Sequence, residues 1–291
     1  MLSTKTDLTV VLVTIKSEKV IEECIESIDQ QVKIIVVENT NNKKFINKLT
    51  LKYPRIKCIL NNENVGMGAG NNVGIKMSDT RFVMIMNPDT KLKKNTLDEI
   101  INVTKNLDFA VVAPLIHDKS NLNYKVINKA RERENTNNKS YMEVDHVDGF
   151  CMILDKSKFQ GNYFDENFFM YLENNDLCKR AKTLGKIFII KNSNIVHIGA
   201  KSVDPIYNDE VELSRNWHWP WSKFYYNKKY HGFVFALIVC SWSFTKSLFK
   251  IIFFTITRNN FKKKIYINRA SGYINSILGK KSWYRPKIIN N

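Results

Sequence analysis

The sequence predicts an α/β protein with a mostly parallel central sheet flanked by helices. Short apolar runs rich in β-branched residues alternate with amphipathic stretches through the first half of the chain, as in sheets whose parallel strands are joined by helices. The chain has 291 residues, and 44% of them are hydrophobic, so it can bury the core that such a sheet requires.

Each predicted element follows from its residue pattern. Apolar runs too short for helices predict strands, whereas apolar residues at helical spacing predict helices. The polar stretch 119–138 is rich in Asn and Lys and lacks periodicity, which predicts a mobile loop. In chain order we predict strands at 9–15, 33–38, 56–60, 81–86, 109–114, 144–154, 186–190 and 194–197, and helices at 18–31, 43–53, 69–77, 94–106 and 172–184.

Positive charge is concentrated towards the end of the chain. Residues 213–291 contain 15 Lys and Arg and no Asp or Glu, and they carry nearly all of the net charge of +17. This asymmetry predicts an anionic partner, either nucleic acid or an acidic membrane surface. We therefore predict two regions, a sheet-containing domain at 1–212 and a basic, apolar helical extension at 213–291.

The extension contains a long apolar segment, residues 233–256, which is interrupted by Lys246 and Lys250. Because lysines within a membrane span are costly, the pattern favours an interfacial helix or helical hairpin over a span. Trp283 and Tyr284 have the amphipathic rings that anchor at a membrane interface. The five scattered cysteines and the absence of an apolar signal stretch in residues 1–7 predict a cytoplasmic protein without zinc. We expect peripheral attachment to the inner face of the cell membrane.

The tripeptide Asn87-Pro88-Asp89 follows the predicted strand 81–86 directly. A carboxylate at the carboxyl end of a buried strand points into the crevice where open α/β sheets bind ligands. Its oxygens suit Mg²⁺ or Mn²⁺ carrying a diphosphate. The alternative is a simple strand-ending turn, because all three residue types favour turns.

Other candidate residues also follow predicted strands or start helices. Glu38 ends the second strand, where an acidic group commonly meets a ribose, or else it starts a helix. The loop 61–74 offers glycines and a helix amino end to an anion, or else forms a structural turn. Asp148 precedes a glycine that would let a second substrate approach. Glu173 and Asp176 are general-base candidates at a helix start, where acids also simply stabilise the helix.

In order, these segments resemble the GT-A glycosyltransferases of family 2, and within them the bacterial rhamnosyltransferase-like branch. The resemblance covers residues 8–203, and the ordered series is far more specific than any one motif. The matching motifs are Val10-Val11-Leu12-Val13-Thr14, Val36-Val37-Glu38-Asn39-Thr40, Asn64-Val65-Gly66 through Gly74-Ile75, Asn87-Pro88-Asp89-Thr90, Val147-Asp148-Gly149-Phe150, Phe164-Asp165-Glu166 with Phe168-Phe169-Met170-Tyr171, Glu173 with Asp176-Leu177-Cys178 and Arg180, and Val196-His197.

The resemblance implies a GT-A, Rossmann-like fold and inverting transfer of a sugar from a nucleoside diphosphate donor. Asp89 would bind Mg²⁺ or Mn²⁺, and His197 would complete the metal site. Asp148 would face the sugar or the acceptor. The family-level expectation is a UDP- or dTDP-sugar, with rhamnose as one candidate, and a lipid-linked glycan acceptor. The implied donor-binding residues are Thr14, Glu38, Asn64, Gly66, Asn72, Asn87 and Asp89.

One departure from the family pattern concerns the catalytic base. The family usually has Asp at the position of Asn174, and an amide does not accept a proton at neutral pH. Either Glu173 takes over, with Asp176 nearby, or the protein is slow or inactive.

Two alternatives follow from these features. A non-catalytic sugar-nucleotide-binding partner subunit would account for Asn174. A nucleic-acid-binding protein would account for the basic tail, although the apolar segment 233–256 is more typical of a lipid interface and disfavours nucleic acid.

Overall fold

The computed structural model describes residues 1–118, 121–127, 138–199 and 203–287, and these form two compact units. The first unit comprises Met1–Asp165 and Asn174–Asp204. The second comprises Glu166–Glu173 and the described residues from Pro205 onward. The predicted boundary after residue 212 therefore falls inside a helix of the second unit, Asn208–His231.

The first unit is built on a mixed sheet with helices on both faces, which confirms the predicted α/β class. Among the described residues the sheet has nine strands, in the order β3-β2-β1-β4-β10-β6-β11-β5 with β8 beside β11. The strands are β1 Leu8–Thr14, β2 Lys33–Glu38, β3 Ile56–Leu60, β4 Phe82–Met86, β5 Thr90–Leu92, β6 Val111–Ile116, β7 Tyr124–Lys125, β8 Tyr141–Glu143, β9 His146–Val147, β10 Cys151–Asp155 and β11 Ile187–His197, of which β7 and β9 form a separate ribbon.

Strands β3, β2, β1 and β4 are parallel, whereas β10 runs antiparallel to β4. All seven residues of β1 and all five of β4 are buried, as expected of parallel strands covered on both faces. Apolar clusters lie on both faces of the sheet. The helices are α1 Ile21–Glu26, α2 Lys43–Lys52, α3 Met67–Met77, α4 Thr96–Thr104, α5 Lys156–Phe159 and α6 Glu173–Leu184.

A paired arginine and aspartate fix the register between β4 and β10. Arg81 donates to both carboxylate oxygens of Asp155, at 3.0 and 2.6 Å. Burial would raise the pKa of Asp155, but the hydrogen bonds from Arg81 and Ser157 lower it below its ordinary value. Such a two-bonded pair is geometrically specific, so Phe82 lies opposite Asp155 and Met86 opposite Cys151.

Glycines bring α3 close to β1. A Cβ at Gly74 would clash with the side chain of Val11, and one at Gly70 would lie 2.9 Å from Val13. Since the two glycines are four residues apart, they share one face of the helix. These two glycines therefore serve the packing of α3 on β1.

Four predicted elements differ markedly from the structure. The run 144–154 is not one strand, because it divides into β9 and β10 around residues 148–150. The two last predicted strands form one strand, β11, with a register irregularity between Ile190 and Asn194. The helix predicted at 18–31 is only α1. Most of the predicted loop 119–138 lies outside the described residues, and its described part contains β7.

The second unit consists of helices and the short segment Glu166–Glu173. Its helices are α7 Asn208–His231, α8 Phe233–Ile256 and α9 Asn260–Ile277. Buried Phe224, Ala236, Cys240 and Tyr273 form its apolar core. Gly272 lets α9 approach α7, since a Cβ there would clash with the carbonyl of Trp217. The predicted apolar helical extension is thus present as three helices.

Candidate active site

One edge of the first unit's sheet collects most of the predicted site residues. The carboxyl ends of β1, β2 and β4 meet there because these strands are parallel. The amino end of β10 reaches the same edge, because β10 is antiparallel to β4. Strand β6 is antiparallel to β10, so the carboxyl end of β6 lies at this edge. Strand β11 is parallel to β6, and the carboxyl end of β11 therefore lies there too. This topology brings the ends of distant chain segments together.

Asp89 and His197, the two predicted metal ligands, lie close together at this edge. The Asp89 carboxylate is 3.4 Å from Nε2 of His197, and Asp89 is only 2% exposed. Strand β5, which follows Asp89, pairs antiparallel with β11 so that Thr90 lies opposite His197. Phe150 stacks on the His197 ring at 4.1 Å between centroids. The sequence predicted this pair from two motifs more than 100 positions apart in the chain.

Asn87 completes the turn that presents Asp89. Its backbone N–H donates to the carbonyl of Phe150 at 2.9 Å, and its carbonyl accepts from Thr90 N–H at 3.0 Å. Its side-chain Oδ1 is buried and has no hydrogen-bond partner among the described residues. A buried amide oxygen is costly without a donor, so this atom is a candidate contact for a ligand hydroxyl or N–H.

These residues fit a divalent cation that also binds a diphosphate. Carboxylate oxygen suits Mg²⁺ and Mn²⁺, and imidazole is a common additional ligand of transition metals. In the part of the chain that the structure describes, no group of three or more His, Cys, Asp or Glu side chains could hold a metal. The protein thus offers Asp89 and His197, and phosphate oxygens and water would have to supply the remaining ligands.

Asp148 lies beside a histidine that the sequence analysis did not single out. Nε2 of His146 is 3.4 Å from the Asp148 carboxylate and 3.4 Å from Nδ2 of Asn174. The Asp148 side chain is about two-fifths exposed, at 43%, so it can meet a ligand. The i, i+2 spacing in an extended stretch puts His146 and Asp148 on one side, and this was the available signal.

Asn174 is accommodated as an amide. Its Nδ2 donates to the carbonyl of Val147 at 3.4 Å, a contact that a carboxylate does not make because it has no proton to donate. Gly149 packs against it, since a Cβ there would lie 3.1 Å from Cβ of Asn174. The residues around Asn174 therefore suit an amide in place of the Asp that is usual in the family.

Glu173, at the first position of α6, is half-buried, and its carboxylate oxygen Oε2 is buried. Burial raises its pKa to about 7, and its Oε2 has no hydrogen-bond partner among the described residues. A group with this pKa exchanges a proton near neutral pH, which is the property of a general base. The two residues before it, Tyr171 and Leu172, have left-handed backbone conformations with φ of 71° and 66°.

Asp176, predicted as a general-base candidate near Glu173, makes structural contacts. Its side chain is fully buried and accepts a hydrogen bond from Nε of Arg180 at 2.8 Å. Arg180 also donates to the backbone carbonyls of Asn162 and Tyr163. This network ties α6 to the preceding loop, and the catalytic role of Asp176 stays a prediction.

Glu38 and Thr14 lie at the ends of β2 and β1, as predicted. The Glu38 carboxylate accepts hydrogen bonds from Thr40 N–H, the Thr40 hydroxyl and Asn42 N–H, so it shapes the turn that follows its strand. The Thr14 carbonyl accepts from Asn39 N–H at 2.9 Å. Both side chains are buried, and their predicted contacts with the donor stay predictions.

The glycine-containing loop begins with a turn at Asn64 and Gly66. Oδ1 of Asn64 accepts from Gly66 N–H at 3.0 Å, and Gly66 has a φ of 91° that favours glycine. The Asn72 amide both donates to and accepts from the backbone of Phe164, at 2.9 and 3.0 Å, which is a structural tether. Its neighbour Asn71 is also buried, and the Oδ1 of Asn71 has no partner among the described residues. Asn71 is thus a better candidate for a ligand contact than Asn72.

The comparisons with known proteins agree with this architecture. The glycosyl transferase family 2 model matches residues 9–161, which is more than half of the chain. The low-salt glycan biosynthesis hexosyltransferase Agl10 of Haloferax volcanii is 27% identical over 227 residues, covering 72% of this chain and 69% of Agl10.

Two solved structures have a similar fold at low sequence identity. The mannosyltransferase PcManGT from Pyrobaculum calidifontis, in complex with GDP-Man and Mn²⁺, matches with a TM-score of 0.56 and 9% identity, over 94% of this chain and 88% of that one. GalNAc-T7 with UDP, GalNAc and Mn²⁺ matches with a TM-score of 0.56 and 12% identity, over 72% of this chain, which spans only 50% of its length. The rhamnosyltransferase-like branch stays a prediction. The chain belongs to glycosyl transferase family 2 and is a glycosyltransferase with a GT-A-like fold.

Proposed function

We propose that this glycosyltransferase transfers a hexose, with inversion, from a nucleoside diphosphate sugar to a lipid-linked glycan at the cytoplasmic face of a membrane. The observation that carries the proposal is the close approach of buried Asp89 and partly exposed His197 at the edge of the sheet where the parallel strands end. The similar structures that bind GDP-Man or UDP support a sugar nucleotide as donor. A UDP- or dTDP-sugar, with rhamnose among the candidates, is the donor class we propose.

Asp89 and His197 would hold a Mg²⁺ or Mn²⁺ ion together with the donor diphosphate. Bound there, the ion supplies positive charge that stabilises the departing nucleoside diphosphate. Asn87 and Asn71 have buried amide oxygens that would accept hydrogen bonds from donor hydroxyl or N–H groups. Asp148, which is partly exposed, would contact the sugar or the acceptor.

Glu173 is the proposed general base, since Asn174 cannot accept a proton. Glu173 would take the proton of the acceptor hydroxyl as the hydroxyl oxygen attacks the sugar. Its raised pKa of about 7 matches this task. A base with a pKa near the working pH is substantially deprotonated and still binds a proton strongly.

Helix α8 is the proposed membrane-binding element. Of the described helices, it alone is long and apolar enough to cross a membrane, but only 17% of its most apolar window is buried. Its buried residues Ala236, Cys240 and Ser247 form one stripe, and the opposite face exposes large apolar side chains. Lys246 and Lys250 fall beside that exposed face, where their amines reach lipid headgroups. This arrangement favours a helix lying in an anionic lipid interface over a span.

We predict that Asp89→Asn weakens Mn²⁺-dependent binding of UDP and GDP by about 100-fold, because a metal ligand is lost. Calorimetric titration with and without Mn²⁺ measures this effect. Asp108→Asn is the control, since Asp108 is a surface acid paired with Lys158. Nucleotide binding that is equally strong in EDTA, or unaffected in Asp89→Asn, would contradict the metal role.

We predict that substitutions at the two neighbouring asparagines of α3 change different quantities, nucleotide affinity at Asn71 and stability at Asn72. Asn71→Ala should weaken nucleotide binding by about 5-fold, the value of one hydrogen bond, and leave stability nearly unchanged. Asn72→Ala should lower the free energy of unfolding by about 2 kcal/mol, because it leaves the Phe164 backbone unpaired. Calorimetric titration and urea unfolding measure these quantities. The reverse pattern would reassign the donor contact to Asn72.

We predict that kcat/KM of the parent protein declines as the pH falls below about 7, because Glu173 must be deprotonated to act as base. Glu173→Gln should lower kcat by roughly 10²- to 10⁴-fold and remove this pH dependence. Glu166→Gln, an exposed acid of the same segment, should behave like the parent. Sugar transfer from a panel of sugar nucleotides is measured by mass spectrometry. An active Glu173→Gln variant would show that another group is the base.

We predict that Trp242→Ser with Phe249→Ser lowers binding to phosphatidylglycerol vesicles at least about 10-fold, because each ring loses about 1.5 to 3 kcal/mol of burial. These side chains are 75% and 67% exposed. The control is Leu51→Ser, an apolar residue of the first unit that is 83% exposed. Vesicle co-sedimentation provides the measurement. Retained vesicle binding in the double variant would refute the membrane surface, and salt-sensitive DNA binding without vesicle binding would favour a nucleic-acid partner instead.

A further inference from the structure

The segment Glu166–Glu173, here called the base segment, is packed on helix α7 within the second unit. The Phe168 ring meets Tyr225 edge-on at 4.9 Å, and the Tyr171 ring meets Trp219 edge-on at 5.4 Å. The hydroxyl of Ser222 donates to the carbonyl of Met170 at 2.8 Å. The base segment is therefore held along its length, although it has no helix or strand of its own before Glu173.

Phe169 lies between a histidine and an arginine. Its ring stacks on His218 of α7 at 4.4 Å between centroids. On the same ring, the guanidinium carbon of Arg285 is 4.0 Å from the centroid, a distance typical of a cation–π contact. Arg285 belongs to residues 280–285, which follow the last helix and are here called the strap.

His218 connects the strap to α7. It is fully buried, and burial lowers its pKa to about 3, so it is neutral. Nε2 lies 2.8 Å from the carbonyl of Tyr284, and Nδ1 lies 2.9 Å from the hydroxyl of Ser282. Because a carbonyl can only accept, Nε2 carries the proton and Nδ1 accepts from Ser282. The strap thus fixes the tautomer of His218 and the orientation of its ring.

The strap is held by side chains along its length. Nη1 of Arg285 donates to the carbonyls of Ser282 and Tyr284, at 2.8 and 3.1 Å. Nε1 of Trp221 donates to the carbonyl of Lys280 at 3.0 Å. The guanidinium on Phe169 is consequently part of a defined structure and not a freely moving surface side chain.

Two strained residues separate Phe169 and Met170 from the proposed base. Tyr171 and Leu172 both have left-handed backbone conformations, which residues with a Cβ rarely adopt in succession. Such a conformation persists only where surrounding contacts enforce it. The contacts that precede the turn are those of Phe169 with His218 and Arg285 and of Met170 with Ser222.

We propose that the strap and His218 are positioning elements for sugar transfer: they hold Phe169, and through it the strained turn that presents Glu173. This inference rests on the proposed role of Glu173 as base. The strap would change the rate of transfer and not the affinity for the donor. The proposed metal ligands Asp89 and His197, which would hold the donor through the metal ion, belong to the first unit.

The test uses Arg285→Leu in the full chain, since Arg285 is exposed and its loss should leave the fold intact. We expect kcat to fall about 10-fold or more, as for a misplaced catalytic group, with the donor KM within about 2-fold of the parent. The matched control is Arg269→Leu, which removes an arginine over the Tyr266 ring, 5.8 Å from its centroid, in the same unit. The control should retain the kcat of the parent. Equal losses in both variants, or a change confined to KM, would overturn the proposal.

A pH profile separates positioning from general loosening of the fold. If the strap keeps the base segment packed on α7, the Arg285→Leu substitution should let water reach Glu173. Hydration lowers the pKa of a buried carboxyl group, so the acidic limb of kcat/KM should move below the parent value near pH 7. Removing a positive charge alone would shift this limb upward, which is the opposite sign. Glu212 and Arg215 of α7, which act on Tyr171 beside Glu173, are unchanged in both variants. An unshifted limb in Arg285→Leu would count against the proposal.

The histidine provides a second, independent comparison. His218→Gln retains an N–H donor for the carbonyl of Tyr284, whereas His218→Ala retains none. We expect the glutamine variant to recover at least part of the kcat that the alanine variant loses. Equal kcat values in two folded variants would refute a role for the hydrogen bond to the strap. If the parent protein binds nucleotide with Mn²⁺ but transfers no sugar, the result contradicts the proposed catalytic function. It does not bear on the contacts that the strap makes.

Discussion

The register between β4 and β10 is the constraint on which the candidate site depends. Arg81 and Asp155 fix it at one end of the strand pair, and at the other end Asn87 N–H donates to the carbonyl of Phe150. A slip of β10 by one residue against β4 would move every side chain of β10 to the opposite face of the sheet. Phe150 would then leave the His197 ring, and the turn that presents Asp89 would lose its anchor. Thus an ion pair at the far end of the strand pair supports the contacts of Phe150 with Asn87 and His197.

The proposed metal ligands and the proposed base belong to different units. In the first unit, Asp89 is buried and His197 is partly exposed, and both positions follow from strand pairing. The second unit contains Glu173, whose burial raises its pKa, on a strained turn that is held by aromatic and hydrogen-bonding contacts. The proposed metal ligands and the proposed base are therefore held by separate sets of contacts. Substitutions in one set should change nucleotide affinity, and substitutions in the other should change the rate of transfer.

Much of the fold was predictable because its signals are local. Buried parallel strands are continuous apolar runs, so β1, β2 and β4 are evident from their residues, and Asp89 follows from its position after β4. The roles of other residues do not follow from residue type, because a residue type does not reveal its partner. Asp176 has the right chemistry for a base, yet Arg180 encloses it, and Asn72 is occupied by the Phe164 backbone. The spacing of His146 and Asp148 is visible in the sequence, but the contact of His146 with Asn174 joins residues 28 positions apart, so no local pattern reveals it.

The sequence by itself determined the α/β class, the ordered motifs of the family, the basic and apolar carboxyl-terminal region, and the replacement of the usual base by Asn174. These properties follow from residue identity and spacing along the chain. Only the tertiary structure decided which carboxylates are available, that Glu173 is buried enough to titrate near pH 7, and that the strap reaches Phe169. The physical reason is that burial, ion pairing and backbone strain depend on residues far apart in the chain, and no local pattern encodes these contacts.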